Sequence, residues 1–331
     1  MQMPNTKLLS HHEHPVALLT VARDSELGRI YTGGMDGAIH VLKGEGETAK
    51  LELLATPHAN YLSSLAIVKG TAITGGFDRD LVWTDLSNGK ILRRVPAHAG
   101  WVRELVSYAE GTRIASVGDD MRLCLWDAET GKLIQELEGH PKQTPEGYAT
   151  ALYAVAASSD GRFLATGDRI GELRVWDAKT GKLLESFRAK EFYTYDPTKR
   201  IRSIGGIRSL AFSEDGSKLA IAGIGQVTNV DGFVGPCRVE VWDWQNKNRT
   251  LAGQDKHKAV LNHVAFHPKS LWLIAAGGGD SGGIFAVWDF EKPEPIHTAK
   301  PKGHLHEFCF SAEGDKLYAA GYDGIQIWSL T

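Results

Sequence analysis

The nine residues Leu125–Leu133, with the sequence LWDAETGKL, recur as VWDAKTGKL over Val175–Leu183. A third copy, VWTDLSNGKI, covers Val82–Ile91. In each copy, a short apolar run ends near an aspartate and is followed by a Gly-Lys pair and a second apolar run. Shorter copies are VWD at 241–243, VWD at 287–289, IWS at 327–329 and IHVL at 39–42, where leucine replaces tryptophan. Self-similarity of this kind predicts a repeat architecture.

The spacing of the copies gives the size of the repeat. The equivalent positions are 42, 84, 126, 176, 242, 288 and 328. The shorter spacings match the period of about 40–45 residues of four-stranded propeller blades, and the longer ones require insertions. Seven copies nearly fill the 331 residues, so the sequence predicts a single domain over residues 1–331.

Each copy has the pattern of four strands. In the third copy the predicted strands are residues 102–106, 113–117, 123–126 and 133–137. Glu110-Gly111 separates the first two, and acid-Gly pairs supply the positive φ that tight hairpins require. Because no segment shows a sustained helical period, the predicted fold class is all-β with antiparallel hairpins.

This pattern resembles the WD-repeat family, whose units join a Gly-His pair to a Trp-Asp pair. The resemblance covers about the whole chain, with the Trp-Asp end in repeats three to six. The histidine end is present as His14, His58, His98, His140 and His257. The resemblance implies a seven-bladed β-propeller in which every blade is a sheet of four antiparallel strands.

The family resemblance also implies a hydrogen-bonded set that fastens each blade. A histidine before the first strand meets a hydroxyl on the second, an aspartate in the next turn and the tryptophan on the third. Blade three has all four groups, His98, Ser116, Asp120 and Trp126. Blades one and two keep His14, Thr32 and Asp36, and His58, Thr74 and Asp78, but lack the tryptophan. Blades four to seven match this set less well.

The resemblance further predicts how the ring closes. The chain reaches its end on the third strand of blade seven, at Trp328. Residues Lys7–His11 are therefore predicted to supply the fourth strand of that blade. This pairing removes two open sheet edges at once.

Composition narrows the classes of function. The net charge is −3, which argues weakly against broad attraction to nucleic acid or acidic membranes. The three cysteines are an odd number without zinc-site spacing, so we expect free thiols in a reducing compartment, the cytoplasm. Met1–His12 has no apolar run of a secretory signal, and no window of eighteen apolar residues predicts a membrane span.

Two groups of side chains look like chemistry and are better explained as scaffold. His11, His12 and His14 flank Glu13, but neighbouring strand residues point to opposite faces, so we expect no metal site there. The His-Ser-Asp set of blade three is similar to a catalytic triad, yet it recurs in part in blades one and two. We therefore expect no catalytic residue, no cofactor and no metal.

Three insertions interrupt the repeat, at Pro141–Gly147, Ala189–Gly206 and Ile224–Pro236. In a propeller, the link between blades and the link from second to third strand emerge on one face. The insertions should therefore cluster on that face, above blades four and five. Aromatic and cationic residues of the second insertion are candidates for partner binding, as such residues anchor interfaces: Phe192, Tyr193, Tyr195, Lys199, Arg200 and Arg202. Packing of these aromatics onto their own blade is an equally open alternative.

The mouth of the central channel is a second candidate surface. Tyr61 and Trp101 stand three residues after His58 and His98, and Phe77 and Tyr322 each precede the aspartate of a turn. In the family, positions near these loops commonly contact peptides. The alternative is that the rings cap the core.

The function predicted from these features is that of a non-catalytic scaffold. It binds a protein or peptide partner on the face that carries the inserted loops of blades four and five, and it acts as a monomeric ring. A propeller-type hydrolase with a channel metal is the alternative, but residues 154–157, 210–212 and 264–266 of the inner strands are apolar. Nucleic-acid binding through Lys199, Arg200, Arg202 and Arg208 is a weaker option, since the balance of charge is acidic.

Overall fold

In the computed structural model, which describes residues 4–44, 46–231, 235–279 and 282–330, seven four-stranded antiparallel sheets form the blades of a β-propeller. The predicted fold class is confirmed. Within the described residues no α-helix occurs, and the helical elements are two 3₁₀ turns, Gly46–Thr48 and Lys190–Phe192. No helix in these ranges has the length and apolarity to cross a membrane.

The strands of each blade run outward from the channel in chain order. In blades one to three they are Leu18–Arg23, Ile30–Gly34, Ile39–Lys43 and Lys50–Ala55; Leu62–Val68, Thr71–Gly76, Asp80–Asp85 and Ile91–Pro96; Val102–Tyr108, Arg113–Gly118, Leu123–Asp127 and Leu133–Leu137. The predicted strands of blade three agree with these bounds to within two residues.

Blades four to six follow the same order. Their strands are Leu152–Ala157, Phe163–Asp168, Glu172–Asp177 and Leu183–Arg188; Ile207–Phe212, Lys218–Ile224, Pro236–Asp243 and Asn248–Lys258; Val260–Phe266, Leu273–Gly279, Gly282–Trp288 and His297–Ala299. A two-stranded hairpin, Tyr193–Tyr195 and Ser203–Gly205, stands apart from the blades within the second insertion.

Blade seven is completed by the N-terminal segment. Its strands are Leu305–Phe310, Lys316–Gly321 and Gly324–Leu330, and the fourth is Thr6–Glu13. Thr6 pairs with Leu330 and Glu13 with Gly324, with a bulge at Leu9. The predicted closing strand is confirmed, and it is longer at both ends than the predicted Lys7–His11.

The core lies between neighbouring blades. Successive side chains of a strand point to opposite faces, and consecutive residues are buried in strands such as Ile30–Gly34, so each sheet buries both faces against the blades beside it. One such layer joins Ile73 and Leu81 of blade two to Ile114, Cys124 and Trp126 of blade three, all at most 3% exposed. This interblade packing fixes the positions of the loops at the two ends of the ring.

Candidate interaction surface

In blade three, a histidine, a hydroxyl, an aspartate and a tryptophan form one continuous chain of hydrogen bonds. The Trp126 indole donates to Ser116 Oγ at 2.9 Å. Ser116 Oγ lies 2.8 Å from His98 Nε2, and His98 Nδ1 lies 2.8 Å from Asp120 Oδ1. These hydrogen bonds run from the third strand to the loop before the first strand, so they connect the strands across the width of the blade.

The carboxylate of Asp120 is the charged end of this chain. Burial raises the pKa of Asp120, but hydrogen bonds from His98, the Ala99 N–H and Arg122 outweigh that effect. The pKa of Asp120 is therefore held well below its usual range. A carboxylate that is ionised and fully hydrogen-bonded in this way is a structural acceptor.

Blade two assembles the same set without the tryptophan. His58 lies 2.8 Å from both Thr74 Oγ1 and Asp78 Oδ1. Thr84 stands at the tryptophan position, opposite Ala72. The neighbouring Trp83 instead donates its indole N–H to the Ala128 carbonyl of blade three, at 2.7 Å, so this tryptophan links two blades.

Blade four has a complete set that the sequence did not predict. His140 lies 2.8 Å from Thr166 Oγ1 and 3.0 Å from Asp168 Oδ2, and the Trp176 indole donates to Thr166 at 3.0 Å. Two features disguise it. The first insertion places His140 twelve residues before Leu152, and the aspartate follows the hydroxyl by two residues instead of four. The unchanged interval from Thr166 to Trp176 was the available signal.

Blade one does not bring its predicted set together. Thr32 Oγ1 donates to the Thr20 carbonyl at 2.7 Å, and His14 Nδ1 donates to the Val16 carbonyl at 3.0 Å. Asp36 is bonded to His40 instead, at 2.7 Å. The reason is the side chain of His40, which stands opposite Thr32 where Val82 and Cys124 stand in the next two blades.

The channel is more polar than the sequence indicated. It has a volume of about 570 Å³ and is lined by the innermost strands of all seven blades. Glu104, His263 and Glu307 occupy one equivalent position on their strands, next to the strand bulge. The expectation of apolar inner strands was wrong at this position: it is Ala154 in blade four, but segments 210–212 and 264–266 begin one residue after it.

The channel carboxylates accept hydrogen bonds from the backbone of the next blade. Glu104 Oε2 accepts from the Val155 N–H at 2.7 Å, and Glu307 Oε2 from the Val21 N–H at 3.1 Å. Burial raises the pKa of Glu307 to about 7, and it raises the pKa of Glu104 well above its ordinary value. Burial also lowers the pKa of His263 to about 4, so its imidazole is neutral. These groups connect the blades around the channel.

The three insertions meet above blades four and five. Tyr193 of the second insertion donates its hydroxyl to Glu146 of the first at 2.5 Å. Asp231 of the third accepts the backbone N–H of Ile201 at 2.8 Å, and the Val227 N–H donates to Thr194 Oγ1 at 3.1 Å. Residues 232–234 of the third insertion lie outside the described residues. The loops thus form one packed platform, here called the insertion platform.

Of the six candidates in the second insertion, one is buried and five are half-buried or exposed. Phe192 is 0% exposed and packs in the core between blades four and five, so it is not available to a partner. Tyr193 is half-buried by its bond to Glu146. Tyr195 is 37% exposed. The cationic residues project at the rim of the hairpin, with Lys199 half-buried and Arg200 and Arg202 exposed.

Three of the four mouth candidates form a single aromatic cluster. Phe77 stacks on Trp101 with a centroid distance of 4.3 Å and an interplanar angle of 5°, and Tyr61 lies 5.4 Å from Phe77. Trp101 is 44% exposed. The Arg103 guanidinium lies 4.9 Å from the Trp101 ring and pairs with Asp119 at 2.6 Å. We call these residues the mouth cluster.

Tyr322 lies in a separate group on blade seven. Its ring is 5.2 Å from both His304 and His306, and it is 49% exposed. The structure therefore does not bring Tyr322 to the mouth cluster. Burial lowers the pKa of His306 to about 4, so its imidazole is uncharged near neutral pH.

A bridge of arginines around Tyr153 connects the mouth cluster to the insertion platform. Arg103 and Arg208 lie 5.3 Å and 4.3 Å from the Tyr153 ring. Arg169 donates to the Ser203 carbonyl of the hairpin at 3.2 Å. Sequence reasoning missed this bridge. The signal was that Arg103, Tyr153 and Arg208 each stand at the same bulge position on adjacent inner strands.

Sequence comparison finds a family match in the middle of the chain. The family described as "WD domain, G-beta repeat" matches residues 89–127 and 131–177. These ranges contain the third strands of blades three and four, with Trp126 and Trp176.

Several curated proteins match parts of the chain, and one of them has the WD repeat in its name. The chain is 29% identical over 220 residues to "WD repeat-containing protein SL1-17" of Schistosoma mansoni, covering 66% of this chain and 62% of that protein. It is 31% identical over 129 residues to "Cilia- and flagella-associated protein 52" of Homo sapiens, which covers 38% of this chain and 20% of that protein. "Small ribosomal subunit protein RACK1z" of Arabidopsis thaliana is 35% identical over 81 residues, covering 24% of this chain and 23% of that protein. The matches thus span less than two thirds of these relatives' lengths.

Proposed function

Since this chain is a WD-repeat β-propeller, we propose that it is a non-catalytic scaffold holding a protein or peptide partner on the face that carries the insertion platform. Repeated blades make a stiff platform, and loops on it carry specificity. The observation that carries the proposal is the continuous surface from the mouth cluster, through the arginine bridge, to the insertion platform.

The composition of this surface supports partner binding. It combines exposed aromatic rings with guanidinium groups, the residue types that dominate binding energy at interfaces. Trp101 and Tyr195 are both more than a third exposed although they are large and apolar. Rings supported from below, as Trp101 is by Phe77, lose little conformational entropy when a partner covers them.

The charge of this surface favours an acidic segment of the partner. Arg103 is compensated by Asp119, but among the described residues Arg169 and Arg208 have no carboxylate within ion-pair distance. The Nε of Arg208 is buried and without a hydrogen-bond partner in the same ranges. Burial lowers the pKa of Arg208, and the charges of Arg103 and Arg169 act in the same direction. A partner carboxylate near Arg169 would relieve this repulsion.

The scaffold is favoured over a hydrolase with a channel metal by how the channel groups are used. Glu104 and Glu307 each accept a backbone N–H from the next blade, which is a structural role. In the described part of the chain, the converging group of three potential metal ligands lies in blade one, not among these channel carboxylates. Their positions are thus explained by blade-to-blade bonding.

The remaining parts of the proposal concern the setting of the protein. We place residues 1–331 in one domain that acts as a monomeric ring in the cytoplasm. Free thiols at Cys124, Cys237 and Cys309 support a reducing compartment. The net charge of −3 supports a protein partner over nucleic acid.

The test is affinity capture from native lysate followed by mass spectrometry, comparing wild type with two variants of this face. Arg200→Glu/Arg202→Glu reverses the exposed charges of the insertion platform, and Trp101→Ala removes the outer ring of the mouth cluster. Each variant should lose at least about tenfold of the specific partner signal, the loss typical of a residue worth 1.4 kcal/mol or more. Melting temperatures should stay within about 2 °C of wild type, because the changed side chains are exposed.

The matched control is Lys179→Glu/Lys182→Glu, which makes the same change in charge. These lysines are exposed in the turn between the third and outermost strands of blade four, at the opposite end of the strands from the insertions. This variant should capture the partner normally. Normal capture by both variants of the inserted face would overturn the proposed surface.

A further inference from the structure

The histidines and aspartate of blade one are arranged differently from those of every neighbouring set. His14, Asp36 and His40 each offer one potential ligand atom, and these atoms all lie within 4.8 Å of one another. The imidazole rings of His14 and His40 are 4.5 Å apart at 66°. The cluster includes only one member of the His11, His12 and His14 run of the sequence. His11 is bonded to the Asp323 carbonyl and His12 to Ser10.

We infer that His14, Asp36 and His40 form a binding site for Zn²⁺, with two imidazole nitrogens and one carboxylate oxygen as protein ligands and water in the fourth position. This donor set is one that zinc takes in proteins. The site is independent of the proposed partner surface, and neither depends on the other.

The hydrogen bonds around the cluster orient its ligand atoms. His14 Nδ1 donates to the Val16 carbonyl at 3.0 Å, which leaves the lone pair of a neutral imidazole on Nε2. Asp36 Oδ1 accepts the Ala38 N–H at 3.2 Å, which leaves Oδ2 toward His40. Ligating histidines and carboxylates in metalloproteins are held by such outer bonds, which fix the tautomer and the rotation of the ring.

The distances require only small movements to bind the ion. Ligands about 2.1 Å from a tetrahedral zinc are about 3.4 Å from one another. His40 Nε2 and Asp36 Oδ2 are now 2.7 Å apart, joined by a hydrogen bond. The ion would take the place of that bond: the proton on His40 Nε2 would move to Nδ1 or be released to water, and the two atoms would separate by about 0.7 Å, with the His14 ring closing from the other side.

Comparison with blade two explains why the site occurs in blade one and not in blade two. Both blades have a histidine before the first strand and a threonine followed four residues later by an aspartate. In blade two, His58 is occupied by Thr74 and Asp78, and Val82 stands where blade one has His40. In blade one, the substitution of an imidazole at that position takes Asp36 away and frees His14. The cluster is also reachable, because the Asp36 side chain is 28% exposed while that of His40 is 9% exposed.

The position of the cluster suggests what the ion does. His14 directly follows the closing strand Thr6–Glu13, whereas Asp36 and His40 belong to the turn and third strand of blade one. An ion bound by all three ties the end of the closing strand to the first blade. It therefore stabilises the ring at the point where the two ends of the chain meet.

The experiment uses the untagged full chain, freed of metal with a chelator, and titrates it with Zn²⁺ alone by calorimetry. Wild type should bind one ion per chain, and saturation should raise the melting temperature. His14→Gln and Asp36→Asn should each weaken binding at least tenfold and remove the thermal shift. His11→Gln, which changes the neighbouring histidine, is the matched control and should behave as wild type.

A second measurement guards against loss of binding through misfolding. His40→Val installs the residue of blade two, and its circular dichroism spectrum and melting without metal show whether the ring is intact. A folded His40→Val that binds no zinc supports the site. Wild type that binds no zinc, or a folded variant with undiminished affinity, overturns it.

Discussion

At the scale of single residues, a chain of buried polar side chains connects the strands of blade three, and each member has a hydrogen-bond partner. Trp126, Ser116, His98 and Asp120 satisfy one another in sequence, and the last carboxylate is held ionised by further donors. Buried polar groups are costly only when they lack partners. The same chain in blade four shows that the spatial arrangement tolerates a different spacing along the sequence.

Trp126→Ala is expected to lower the free energy of unfolding by about 3–5 kcal/mol, the range for loss of a large buried aromatic side chain. Trp126 is 3% exposed and lies in the layer between blades two and three. Chemical denaturation of the purified chain measures the effect. Trp101→Ala, at 44% exposure, is the control and should change stability little. An unchanged denaturation midpoint for Trp126→Ala would contradict the anchoring role.

Glu307 makes a specific contribution to the pH dependence of stability. Burial raises its pKa to about 7 in the folded chain, whereas in the unfolded chain it is near 4.5. A raised pKa means that stability from the protonated form is complete below about pH 4.5 and is lost as the pH rises through about 7. Glu307→Gln keeps an acceptor for the Val21 N–H without ionising. The melting temperature of wild type should therefore fall relative to Glu307→Gln between pH 5 and 8.

The control for this prediction is Glu129→Gln, which removes an exposed carboxylate. The difference between Glu129→Gln and wild type should not vary with pH over the same interval. Parallel curves for wild type and Glu307→Gln would show that the channel carboxylate does not titrate in this range.

At the scale of elements, the insertion platform shows how a loop can be both fixed and exposed. The hairpin Tyr193–Tyr195 and Ser203–Gly205 is fixed from below by Phe192, while Tyr195 and the arginines project above. The sequence indicated these residues as a group because three aromatic side chains are followed closely by three cationic ones. It could not separate them, since the direction of each side chain depends on the turn at Lys190–Phe192.

Phe192→Ala and Tyr195→Ala are expected to affect stability very differently, although the two residues lie three positions apart. Phe192→Ala should lower the free energy of unfolding by about 3–5 kcal/mol through loss of buried contacts. Tyr195→Ala should change it by about 0.5 kcal/mol or less. Equilibrium denaturation compares the two directly. Equal effects would mean that the hairpin is not seated on blades four and five as described.

Other elements show where sequence reasoning succeeded and where it failed. The seven third strands were predictable because a short apolar run recurs at each of them, with tryptophan in six of the seven and Trp-Asp in blades three to six. The positions from 42 to 328 are structurally equivalent in the register. The blade-four set was missed, although His140 itself was recognised, because Asp168 follows Thr166 by two residues instead of four. Glu104 and Glu307 were missed because a single polar residue at a bulge does not alter an apolar pattern. These positions are defined by pairing between strands, which the linear sequence does not display.

At the scale of the whole molecule, the closing strand determines whether seven sheets act as one ring. Thr6–Glu13 pairs with Gly324–Leu330 along its length, and His14 donates its backbone N–H to the Asp323 carbonyl. Closure removes the free edges that an open array of blades would expose. Hydrogen bonds between blades, such as that from the Val21 N–H to Glu307, also connect neighbouring sheets around the channel.

Deletion of residues 1–13 is therefore expected to destabilise the entire ring and not one blade alone. Thermal unfolding should shift to a markedly lower temperature and lose cooperativity, because blade seven is left with an open edge. A synthetic peptide of residues 4–14 added in trans should restore part of the loss, while a scrambled peptide should not. Wild-type melting of the truncated chain would contradict closure by this strand.

Site-specific photo-crosslinking in native lysate tests whether the face with the insertion platform holds a protein partner. A photoreactive phenylalanine replaces Tyr195 on the insertion platform, Trp101 in the mouth cluster, or Thr180 in the exposed turn at the opposite end of blade four. If a partner binds this face, one protein is crosslinked from positions 195 and 101 and not from position 180. Crosslinking from position 180 alone, or none from any of the three, would contradict it.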